Sequence, residues 1–186
     1  DARNMGVPVL QPDVASSGWD FEIEDVPVAL DAVPGAGDGV ESRNNTKPSI
    51  RFGLGAIKNV NQGAVEAIIE ARKESKFIDL NDFARRVDLR TVGKRSLECL
   101  IKVGALDQFG NRPAMLASLD RIIAISANHF RAADAGQMSL FGAATGIIEE
   151  ITLPEVKDVD KREMLNWERE LIGLYISDHP LDCLTC

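Results

Sequence analysis

The sequence predicts a mainly α chain with a small N-terminal β portion. Three observations lead to that class. Apolar residues recur at helical spacing in several separate stretches after residue 54. Strict apolar–polar alternation is confined to the part before it, in Phe21-Glu22-Ile23-Glu24 and Ile50-Arg51-Phe52. Turn formers (Pro34, Gly35, Gly37, Gly39, Asn44, Asn45 and Pro48) crowd the stretch between those two alternating runs.

In chain order, Pro8 and Pro12 restrict helix, and Met5 to Leu10 reads as a short strand. The Phe21 strand follows, then a loop over 31–48, then a strand in which Ile50, Phe52 and Leu54 share a buried face. A short helix around Leu54 to Lys58 is expected to turn sharply at Asn59-Val60-Asn61 and feed a second helix. That second helix carries Val65, Ile68, Ile69 and Arg72 on one side. Asn tolerates a left-handed backbone, and Val60 would plug the turn into the core. Asp79 or Asn81 can cap a helix through Phe83 and Val87. Thr91 can cap the next, with Leu97, Leu100 and Ile101 as its stripe and Gly104 as its stop. Asn111 can cap a third, with Pro113 in its first turn and a run to about Phe130. After Leu153-Pro154 an acidic amphipathic helix carries Met164, Leu165, Trp167, Leu171 and Ile172.

The 186 residues are 45% hydrophobic, enough for one medium domain or two small ones. No run of about 18 apolar residues occurs, so no membrane-spanning helix is expected. The chain has no signal-peptide pattern, starts without Met, stops abruptly at Cys186, and reads as a piece of a longer protein.

Net charge is −8, which taken whole argues against a nucleic-acid partner. Its distribution argues otherwise. Residues 1–50 hold 3 basic and 9 acidic side chains, residues 51–112 hold 12 and 8, and residues 113–186 hold 6 and 12. The one positive block contains the turn at Asn59. A solvated helical surface would give the same count.

Cysteines number 3, with no framework, which suits a reducing cytoplasm. Cys99 reads as a core residue, and the Cys183/Cys186 pair lacks the second pair that a metal site needs. The two histidines, His129 and His179, lie far apart in sequence. No catalytic and no metal-ligating residue is assigned.

A hairpin of this kind leaves the first amides of its second helix free, and free amides at a positive helix end attract anions. The pattern resembles the helix-hairpin-helix motif of sequence-independent DNA binders. That family carries Gly-hydrophobic-Gly where this chain carries Asn59-Val60-Asn61, and Asn side chains crowd an approaching phosphate or bond their own loop. The resemblance implies backbone contacts from Lys58, Asn59, Val60, Asn61, Gln62 and Gly63.

A wider resemblance rests on five blocks: Met5 to Val14, Ile50 to Lys58, Lys94 to Asp107, Gly136 to Gly142 and Trp167 to Asp182. In that order they resemble the alpha subunits of bacterial DNA polymerase III, the C-family replicative polymerases. The loop at 26–47 does not align. The resemblance implies four parts. Residues 1–48 would end the fingers region, with strands and a long loop. Residues 49–130 would form the helix-hairpin-helix domain, and 131–152 a flexible segment. Residues 153–186 would be a helix and linker leading to an OB-fold domain outside this chain. Polymerase chemistry in this family uses palm aspartates and two metal ions, expected to be Mg2+. Nothing here matches that palm motif, so the chain needs no cofactor of its own and is expected to be inactive alone.

Gln137-Met138-Ser139-Leu140-Phe141 resembles the pentapeptide by which bacterial proteins bind the sliding clamp. Leu140 and Phe141 would fill an apolar pocket, and Gln137 would bond at its edge. The partners so implied are duplex DNA, the sliding clamp and other polymerase III holoenzyme subunits, in the cytoplasm. Two other readings stand beside this one. A scaffold segment would attach to the clamp without touching DNA. A repair ligase or nuclease would show tandem Gly-hydrophobic-Gly turns or nucleotidyl-transfer residues, and neither is present.

Overall fold

A computed structural model describes residues 7–27, 46–134 and 150–176. Three strands open the chain: β1 (Val9–Leu10), β2 (Glu22–Pro27) and β3 (Thr46–Arg51). The sheet order is β1-β3-β2, with β1 parallel and β2 antiparallel to the central β3. Arg51 clamps β3 to β2 by a two-pronged bond to Glu24, at 2.6 and 2.7 Å. Fork-to-carboxylate geometry of this kind is the stronger form of ion pair. The Arg51 guanidinium holds the Glu24 carboxyl below its ordinary range.

The expected three-residue face at Ile50, Phe52 and Leu54 is only partly right. β3 ends at Arg51, Ile50 is half-buried, and Leu54 sits in a 3-10 turn, Leu54–Ala56. Phe52 and Leu54 are buried. The backbone bends away from the sheet because Trp19 and Gly18 take it over. Their carbonyls accept the amides of Gly55 and Leu54. Gly53 lies so close to the Trp19 and Asp20 backbone that a Cβ there has no room.

Seven α-helices follow among the described residues: α1 (Gln62–Arg72), α2 (Leu80–Arg86), α3 (Leu89–Val92), α4 (Lys94–Lys102), α5 (Arg112–Ala117), α6 (Leu119–Asp134) and α7 (Lys161–Ile172). Their starts obey capping chemistry. Asn61 accepts the Ala64 amide, Asp79 that of Asp82, and Asn111 that of Ala114. Asp79 rather than Asn81 caps α2. Asn81 instead accepts the amide of Ile151 at 2.7 Å and so ties the C-terminal segment to α2.

Two sequence expectations need correction. Thr91 caps nothing. Asp88 accepts the Arg90 amide and starts α3 early, so Thr91 falls inside it, and Gly93 at φ 80 opens α4. The helix expected from Asn111 to Phe130 is two. Ser118 donates its amide to both Ala114 and Met115, which ends α5, and accepts from Ile122, which begins α6. Gly104 does stop α4, at φ 82.

One apolar core runs through all of this. Leu54, Ile57, Val65, Ile68, Phe83, Leu89, Leu97, Leu100, Leu106, Met115 and Ile122 pack in it. Val14 reaches it from the N-terminal segment, and Ile151 and Leu171 from the C-terminal one. Phe77, Phe83 and Phe109 cluster at it, Phe77 edge-on to the other two, with ring centroids 5.1 to 6.4 Å apart. Cys99 is buried here, as expected, and burial pushes its thiol pKa up. No described helix is long and apolar enough to cross a membrane.

Candidate nucleic-acid interface

The site is the turn between the 3-10 segment and α1. The expected first helix is shorter than the spacing suggests, because Ile57 is already extended and the Lys58 amide points elsewhere. It donates to the carbonyl of Leu171, at the end of α7, at 2.9 Å. Asn59 then takes φ 65, the only non-glycine residue at positive φ among those described. Val60 drops into the core at 8% exposure. Asn61 returns to extended backbone and caps α1.

The two asparagines therefore have separate tasks. Asn59 supplies the left-handed step. Its carbonyl accepts from Ser96 Oγ at 2.9 Å, and its side-chain amide points to Cys99 Sγ at 3.8 Å. Asn61 spends its side-chain oxygen on the Ala64 amide at 2.7 Å. Of the three leading amides of α1, the third is thus satisfied internally. Those of Gln62 and Gly63 have no acceptor among the described residues. Gln62 and Gly63 are both exposed, and a Cβ on Gly63 would meet only Asn61 Oδ1, at 3.5 Å.

Lys58, Asn59, Asn61, Gln62 and Gly63 are all exposed. Val60 is not at the surface. It supports the turn from beneath. Lys58 makes no ion pair with a described residue, so its charge is available next to the two amides. One feature opposes an anion: Glu66 is exposed one turn along α1, where it accepts from Gln62 Nε2 at 2.7 Å.

The wider basic surface divides sharply. Arg86 caps the end of α1 and the loop after it, donating to the carbonyls of Ala71, Ser75 and Lys76, and pairs with Asp82. Arg90 grips Asp88 and Asp134, and Lys94 holds Asp120. Arg85 and Arg95 make no ion pair or hydrogen bond with a described residue. Three of these five cations are thus engaged within the fold.

Sequence reasoning missed the two braces on the turn, Leu171 and Ser96. Both are long-range, so local pattern carries no sign of Leu171. A hydroxyl at Ser96 in an otherwise apolar helix face was the one available hint. The pentapeptide Gln137 to Phe141 lies outside the described residues, as do Cys183 and Cys186. Among the described residues no group of three or more His, Cys, Asp or Glu is placed to hold a metal.

The family model described as the helix-hairpin-helix motif matches residues 6–115. The chain is 38% identical over 186 residues to DNA polymerase III subunit alpha of Vibrio cholerae, covering 98% of this chain and 14% of that protein. It is 38% identical over 182 residues to the same subunit of Thermus aquaticus, covering 97% and 13%. With that of Bacillus subtilis it shares 35% over 182 residues, covering 97% and 14%. The chain therefore spans about one seventh of the length of these relatives.

Proposed function

The chain belongs to the helix-hairpin-helix family, and on that premise we propose that its hairpin holds the phosphate backbone of duplex DNA. The observation that carries this reading is the open pair of amides at Gln62 and Gly63, at the positive end of an eleven-residue helix, beside the uncommitted Lys58. Amides and a flexible ammonium bind phosphate oxygens and cannot distinguish bases, so the grip is independent of sequence. In the setting of a DNA polymerase III alpha subunit, such a grip retains the enzyme on the duplex.

The pentapeptide Gln137 to Phe141 supplies the second hold, on the sliding clamp. Together the two raise the effective concentration of polymerase at the primer end. The parent protein is then a cytoplasmic DNA-directed DNA polymerase working with other holoenzyme subunits. Its chemistry and its Mg2+ belong to parts outside this chain, and the 186-residue piece incorporates no nucleotide by itself.

Two observations favour a second reading, a scaffold with clamp attachment alone. The Asn61 cap removes one amide, and Glu66 places a negative charge close by. Titration of duplex DNA at several salt concentrations separates the two. Under the first reading affinity falls steeply as salt rises, and Lys58→Glu weakens binding by about 1 kcal/mol or more. Absence of binding at low salt leaves the scaffold. For the clamp, Leu140→Ala with Phe141→Ala should abolish capture by immobilised clamp while circular dichroism stays unchanged. Retained capture overturns that part.

A further inference from the structure

Four cations sit on α3 and α4, and the fold has committed three of them. The Arg90 guanidinium lies 2.7 Å from Asp88 and 3.2 Å from Asp134. Lys94 Nζ lies 2.6 Å from Asp120. Lys102 Nζ lies 2.6 Å from Glu98 and sits over the Trp167 ring. Arg95 alone among them is exposed with no ion pair or hydrogen bond to a described residue.

Its position is fixed relative to the turn. The next residue, Ser96, bonds the Asn59 carbonyl at 2.9 Å, so the backbone of α4 is anchored to the hairpin one residue away from Arg95. Arg95 and Asn59 also line the same cleft, with Glu98, Lys102, Trp167 and Glu170 around it. An arginine held there by its backbone, with its fork unspent, suits a phosphate better than lysine does, because it offers two parallel donors.

We propose that Arg95 is a second phosphate-holding residue of the interface, taking the backbone phosphate next to the one at the α1 amides. This rests on the hairpin reading above. The hairpin on its own supplies one anchoring point, about which a duplex can swivel. Two anchoring points on different elements fix the direction of the strand across the surface.

The test uses the whole 186-residue chain and a blunt duplex oligonucleotide, titrated across salt. Arg95→Gln should lower the slope of log affinity against log salt by about 0.9. It should weaken low-salt binding roughly tenfold. Arg95→Lys should restore most of the slope but not all the affinity. Lys94→Gln removes the same charge one residue away and should lower the slope less, because Lys94 is paired with Asp120. An unchanged slope in Arg95→Gln, or equal losses in both variants, overturns the assignment while leaving the hairpin reading intact. No binding by the unsubstituted chain overturns both.

Discussion

Asn59 shows how one residue can meet a demand that glycine usually meets. Its backbone sits at φ 65, where a Cβ costs about 1–2 kcal/mol in an ordinary residue. Asn lowers that cost, and here it adds a contact to Cys99. Asn59→Gly should therefore change stability by no more than about 0.5 kcal/mol, whereas Asn59→Val should lose about 2 kcal/mol. Urea denaturation of both variants checks the pair. Asn61 works differently: its side chain replaces a lost backbone acceptor. Asn61→Ala should cost about 1 kcal/mol, while Asn61→Asp should keep the cap and repel phosphate, lowering DNA affinity without lowering the melting temperature. The left-handed tolerance of Asn and the plugging Val60 were legible in the residues alone. That Asn61 turns inward to its own helix was also foreseeable from its chemistry. The carbonyl that holds Lys58 was not, because Leu171 lies far along the chain.

At the scale of elements, boundaries that depend on one side chain were readable, and those that depend on packing were not. The caps Asp79 and Asn111 could be picked from sequence, as could the stop at Gly104. The break at Ser118 could not. The apolar positions Met115, Leu116, Leu119, Ile122 and Ile123 keep helical spacing straight through it. The junction of α4 and α5 has its own constraint. Arg112 is buried beneath Gly104, with Asp107 on its guanidinium at 2.7 and 2.8 Å, the Lys102 carbonyl at 3.1 Å, and Glu168 of α7 at 3.8 Å. Breaking a buried arrangement of this kind by removing one partner costs about 3 kcal/mol. Arg112→Ala should show that loss in thermal unfolding. Gly104→Ala should also destabilise, since a Cβ there collides with the guanidinium at a backbone angle that disfavours side chains.

At the scale of the whole molecule, two ion pairs make stability respond to acid. Arg51 lowers the Glu24 pKa and Arg90 lowers that of Asp88, in each case chiefly through side-chain hydrogen bonds. A lowered carboxyl contributes stability that is present above its unfolded value and disappears as pH falls through its folded value. The melting temperature should therefore be level near neutrality and fall below about pH 4. Glu24→Gln should start lower and fall less steeply. The broad plan, a few strands and then helices around one basic block, was legible from periodicity and charge. Which charges remain available for a ligand was not. Counting Lys and Arg cannot tell Arg86, consumed by three carbonyls, from Arg95. The bond from the Lys58 amide to the end of α7 carries a mechanical implication. Leu171 both supplies that carbonyl and packs in the core, so the end of α7 and the turn are joined twice over and a displacement of one carries the other.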